Sequence, residues 1–162
     1  MPGVVMLMAC VQVIAQPAPT PDAGLIHGFR DLAGQSLHIS SQGLELLSDP
    51  RVFWLIESQE LAIRIGAAVR SAEAVDKHLA ILAGSKGLTK DDAAGIARLR
   101  KLAGFLKEQG ESLQTYWDTG VVDHWKLSEA IGKKARKELD DLLDLNPKTG
   151  LAPPPREPRK RP

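Results

Sequence analysis

The twelve residues Thr115 to Lys126, TYWDTGVVDHWK, form the densest cluster of reactive side-chain types in this 162-residue chain. Two tryptophans, two aspartates and a histidine fall within it. Paired carboxylates do general acid–base work when their environments push their pKa values apart. Aspartate oxygens and an imidazole are also metal ligands.

The spacing fits neither chemistry well. Asp118-Thr119-Gly120 spells the DTG triplet of aspartic proteases, a chemistry that needs two carboxylates sharing a proton, each in a tight turn between apolar strands. Here Asp118 follows a helical stripe instead. For a metal, the adjacent Asp123 and His124 do not face one another on a helix, and the chain holds no HxxxH or ExxH pair. A haem in a helical bundle would need an axial pair such as His78 with His124. No CxxCH motif is present, and all three methionines lie within the first ten residues. His27 and His38 stand alone, and Ser40 and Ser41 lack a GxSxG setting. No nucleophile, base and oxyanion donor assemble in the sequence, so catalysis and a cofactor are not expected. Were the bundle to hold a small molecule, its lining would come from Trp54, His78, Tyr116, Trp117 and His124, with Trp125 beside them.

A corner between two helices accounts for more of this stretch. Trp117 completes an apolar stripe, and Gly120 suits the left-handed residue that ends a helix. Asp123 is placed to cap the next helix, whose first large apolar residue is Trp125.

The elements around that corner are legible as periodicity. Leu61, Ile65, Ala68, Ala72, Val75, Leu79 and Leu82 alternate steps of four and three. So do Ile96, Leu99, Ala103, Leu106, Gly110, Leu113 and Trp117. Leu127, Ile131, Ala135, Leu139 and Leu142 share a third face. Asp49 and Pro50 read as an N-cap and first turn. Thr89 stands three residues before Asp92, an acidic capping box, and Pro147 follows the last stripe. These signals predict helices near 50–84, 90–118 and 122–145. Leu25, Phe29, Leu32, Leu44 and Leu47 predict a fourth, kinked or broken between Gly34 and Gly43, where GQSLHISSQG weakens a helix. Glu60 and Arg64 are spaced as a surface ion pair. The expected fold is all-α, a three- to four-helix antiparallel bundle over residues 25–146 with disordered ends. No heptad run demands a long coiled coil, though a helix stripe can be shared with a protein partner or a second copy.

Composition agrees with a soluble helical domain: 43% hydrophobic, 25% charged and only 4% aromatic. The net charge of +1 is unevenly spread. The proline-rich tail LAPPPREPRKRP carries +3, from Arg156, Arg159, Lys160 and Arg161 against Glu157, and residues 1–21 carry none, which leaves −2 for residues 22–150. A second basic cluster, Lys133, Lys134, Arg136 and Lys137, lies on the last helix. Such clusters attract phosphate and other polyanions. The slightly acidic body and the lack of a reading helix disfavour nucleic acid, leaving anionic lipid or a cell-wall polymer as the expected electrostatic contact.

Residues 1–15 read as a signal peptide. Val4 to Ile14 form an apolar run of the right length, and Val13-Ile14-Ala15 offers a cleavage site. A proline-rich linker, 16–24, follows. The charged n-region of such signals is missing, a departure that an upstream start would explain. LMAC, ending in the single cysteine Cys10, is similar to a bacterial lipobox and makes Cys10 the lipidation candidate, although the apolar VQVIA after it departs from that pattern. Export to the envelope is the expectation, with a cytoplasmic protein as the alternative.

Overall fold

The computed structural model describes residues 23–49, 51–52 and 55–142. The expected signal peptide, Cys10, most of the linker, Pro50, Trp54 and the basic tail with Arg156, Arg159, Lys160 and Arg161 lie outside the described residues. Four helices account for almost all of the rest: α1 (Ala23–Ser48), α2 (Ser58–Ala83), α3 (Lys90–Thr119) and α4 (Val122–Leu142). The chain is an all-α bundle, as its periodicity predicts.

Side-chain contacts set the directions. Arg30 near the start of α1 pairs with Asp92 at the start of α3, Nη1 to Oδ1 2.8 Å. The Trp125 indole N–H at the start of α4 donates to the Ser48 carbonyl at the end of α1, 3.2 Å. Phe29 meets His78, near the end of α2, edge to face at 6.4 Å. Consecutive helices therefore alternate in direction, with α1 parallel to α3. Helix α3 touches all three others, while α2 and α4 do not touch each other.

The periodic faces become the core. Leu37, Leu44, Ile65, Leu79, Ile96, Leu102, Leu106 and Leu113 are all less than 2% exposed. Burying each such side chain contributes roughly 1.5–3 kcal/mol, which stabilises helices that are marginal alone in water. The capping box at α3 forms as expected: the Asp92 amide donates to Thr89 Oγ1 at 3.1 Å, and the Thr89 hydroxyl donates to Asp92 Oδ2 at 2.6 Å.

Four local expectations are corrected. Helix α1 runs unbroken through Gly34 to Gly43. Its serines stay within helical geometry: Ser40 donates back to the Ser36 carbonyl at 3.0 Å, and the Ser36 and Ser40 hydroxyls each lie 3.4 Å from Ser71 Oγ of α2. Packing thus overrides the propensity that argued for a break. Helix α2 begins at Ser58 rather than near residue 50, because the Asp49 carboxylate accepts from the Arg51 amide at 2.9 Å and closes a turn instead. Asp123 lies inside α4, which starts at Val122, so it does not cap that helix. Leu127, taken with the α4 stripe, is 49% exposed; Ser128 faces the interior in its place.

Glycines set how closely helices approach. A Cβ on Gly95 would run into the Arg30 guanidinium, one on Gly110 into Val69, and one on Gly132 into the Gln109 amide. Gly28, Gly43 and Gly104 have open space where a Cβ would sit. A matched pair of variants separates the two kinds. Gly110→Ala is expected to destabilise the fold by about 1–3 kcal/mol through overpacking, whereas Gly104→Ala should stabilise it by about 0.5–1 kcal/mol through helix propensity. Urea unfolding of the two proteins side by side checks the opposite signs.

Candidate functional site

The TYWDTGVVDHWK corner folds as a corner. Gly120 closes α3 in a left-handed conformation, φ 70°, and its amide donates to the Tyr116 carbonyl at 2.7 Å. Trp117 is half-buried and packs against Tyr116 at 5.2 Å between centroids. Asp118 is exposed and accepts from the Gln114 amide nitrogen at 2.9 Å; Asp123 is exposed and pairs with Lys126 at 3.4 Å. Among the described residues no second carboxylate is paired with Asp118. No group of three or more His, Cys, Asp or Glu side chains able to hold a metal occurs among the described residues.

The histidine candidates are far apart. His78 is exposed towards the end of α2, beside Phe29. His124 lies at the opposite end, at the start of α4, two residues after Val122. Arg100, which pairs with Asp76, marks the level of His78 on α3, and the Ser128 hydroxyl on the Gln109 carbonyl puts His124, one turn earlier on α4, near the level of Leu113. About thirteen helical residues separate those levels, roughly 20 Å at 1.5 Å per residue. One cofactor cannot be ligated by both, and Tyr116 and Trp117 share only the end occupied by His124.

One concave site does collect residues from several helices. A cleft of about 440 Å³ opens between the end of α1, the middle of α3 and α4, lined in part by Glu45, Trp125, Lys133 and Arg136. Arg136 Nε donates to Glu45 at 2.8 Å, and the hydrogen bond to that carboxylate raises the arginine's pKa above its ordinary value. At the rim, Arg51 holds the Asp49 carboxyl down to about 2. The cleft floor is Gln109, 2% exposed, whose side-chain carbonyl oxygen is buried without a protein hydrogen-bond partner. Its backbone carbonyl accepts from the buried Ser128 hydroxyl at 3.2 Å. Of the residues singled out in the sequence, Trp125, Lys133 and Arg136 meet here. Lys134 and Lys137 are exposed elsewhere on α4, and with Lys133 they have no carboxylate partner among the described residues. Gln109 was readable as a polar residue three after Leu106 and four before Leu113, on a face otherwise apolar.

A second feature is a surface. Leu25, Leu32, Ile39 and Leu46 recur every seven residues along α1, and they are 71%, 64%, 68% and 67% exposed. On the adjoining α2, Ile63 and Ile81 are 59% and 74% exposed, and five helical turns put them on one side. Between those two, Arg70 and Lys77 are exposed on the same side of α2, so the continuous apolar row is that of α1. Monomeric proteins rarely leave such a contiguous face open. No helix among the described residues is long and apolar enough to cross a membrane. The chain matches no family model, no curated protein and no solved structure.

Interhelical ion pairs stitch the remaining faces. Glu138 of α4 accepts from Arg98 at 2.8 Å and from Lys101 at 2.9 Å, and both hydrogen bonds hold its carboxyl below the ordinary range. Lys107 does the same to Glu73 at 3.0 Å. The Thr89 hydroxyl, then Arg30, lowers Asp92. A carboxylate whose folded pKa is depressed adds stability above its unfolded pKa, about 4, and loses it as pH falls through the folded value. The melting temperature should therefore be flat from about pH 8 to 5 and fall below about pH 4, less steeply in Glu138→Gln. In the cleft, Gln109→Met removes a buried unpaired acceptor while keeping side-chain length. It should raise the urea midpoint by an amount equivalent to about 1 kcal/mol.

Proposed function

We propose that this is an exported helical-bundle protein whose role in the cell envelope is binding or scaffolding. The observation that carries the reading is the exposed aliphatic row of α1, Leu25, Leu32, Ile39 and Leu46, which offers a protein partner an apolar surface along the whole helix. The polar groups described support it: the aspartates of the α3–α4 corner face solvent, the histidines are dispersed, and ion pairs such as Arg100–Asp76 and Lys101–Glu138 join one helix to another. Export rests on the sequence of residues 1–24, an apolar run of signal length followed by a proline-rich linker. The basic tail, with Arg156, Arg159, Lys160 and Arg161, then adds attachment to anionic lipid or cell-wall polymer through non-specific charge.

Two measurements on protein from its native cells test this. Intact mass should show the loss of about fifteen residues or a lipid on Cys10, as signal processing requires. A photo-cross-linking residue at Leu46 should capture a protein in the same cells, whether another protein or a second copy. A full-length mass removes the ground for export, and a Leu46 probe that captures no protein removes the ground for an interaction role.

A further inference from the structure

Taking the interaction reading above as its basis, we infer that the outer face of α1 pairs with the same face of a second copy, antiparallel about a two-fold axis between Gln35 and Ser36.

The inference comes from a symmetry within α1. Reversing the helix about that midpoint superimposes Leu25 on Leu46, Gly28 on Gly43, and Leu32 on Ile39. These pairs hold the exposed aliphatic row of α1 and two of the glycines that the fold does not use. Elsewhere in the bundle, Gly95, Gly110 and Gly132 each make room for a neighbouring side chain. Gly28 and Gly43 meet nothing, yet each costs helix α1 stability relative to alanine. In the antiparallel pair they sit opposite one another, where two backbones can approach closely. A two-fold interface requires one patch to complement itself in this way.

Charge and size point to the same occupant. Asp31 is the only fully charged residue among the described exposed positions of α1. In the two-fold pair the Asp31 carboxylates are offset by nine residues along the axis, about 13 Å, beyond the Debye length at physiological salt. Identical faces therefore meet without like-charge repulsion. An anionic membrane fits less well, because the described exposed positions of α1 itself hold no lysine or arginine beside the row. The one arginine of α1, Arg30, is held by Asp92. The row from Leu25 to Leu46 is about 32 Å long, so two copies of α1 can pair along some six turns.

Sedimentation velocity and cysteine cross-linking test the pairing on the full chain, with Cys10→Ser as background. The chain should sediment as a dimer, and Ile39→Lys should convert it to a monomer with unchanged far-UV circular dichroism. An equimolar mixture of L32C and I39C chains should oxidise mainly to the mixed dimer, because Leu32 faces Ile39 of the other copy. Gly28→Ala with Gly43→Ala should raise the melting temperature of the dilute monomer yet weaken dimerisation by roughly tenfold or more, as methyl groups enter a close contact. A monomer at all concentrations, a dimer indifferent to Ile39→Lys, or a mixture oxidising mainly to homodimers would overturn the proposal. If the chain is monomeric while the Leu46 probe captures a different protein, self-pairing fails and the interaction role survives.

Discussion

The approach of three helices to α3 is the constraint on which the rest of the bundle depends. Each neighbour is seated against it at a place where a side chain is missing. Gly95 leaves room for Arg30 to reach Asp92, Gly110 receives Val69 of α2, and Gly132 of α4 receives Gln109. Interiors pack densely enough that an added methyl displaces a neighbour. These contacts therefore set interhelical distance, and with it which residues count as core. The Arg30–Asp92–Thr89 chain shows the coupling: one carboxylate accepts from the hydroxyl that caps α3, ties α1 to that helix, and depends on a glycine one turn away for access.

The parts of the fold legible in the sequence are those specified locally or by repetition. The α2 and α3 stripes recur over six turns or more, so no single residue decides them. The Thr89 capping box and the Gly120 stop are local chemistry, and both form as written. Misreadings fall where a particular side-chain contact outweighs propensity or spacing. Helix α1 looked breakable because Ser36, Ser40 and Ser41 are weak helix formers, but the α2 seam and the helix's own carbonyls satisfy Ser36 and Ser40. Asp49 looked like a cap, but the guanidinium of Arg51, two residues on, draws its carboxylate into a turn. Leu127 fitted a spacing rule, yet Ser128 takes the buried position and donates to the Gln109 carbonyl.

The site followed the same division. The chemistry of aspartates and histidines is recognisable one residue at a time, but Asp118 and Asp123 lie on the surface and His78 and His124 lie far apart along the bundle. Gln109 carries no motif, and only its place among Leu106, Gly110 and Leu113 marked it. The seven-residue recurrence of Leu25, Leu32, Ile39 and Leu46 was equally present in the sequence. It merged with the core row of the same helix, because a helix apolar on two sides does not reveal which side faces inward.

That double character bears on why α1 exists in this form. It has the poorest intrinsic helix propensity of the four, with Gly24, Gly28, Gly34 and Gly43 among its 26 residues. Its stability therefore rests on burial more than that of α3 does, yet its contact with α4 is the slightest in the bundle and leaves the cleft over Gln109. A helix with weak propensity, a loose flank and an apolar outer row is held by the bundle on one side only. Covering the outer row would contribute the apolar burial that the inner contacts leave incomplete, and would give Gly28 and Gly43 the packing role that the other close-approach glycines already have.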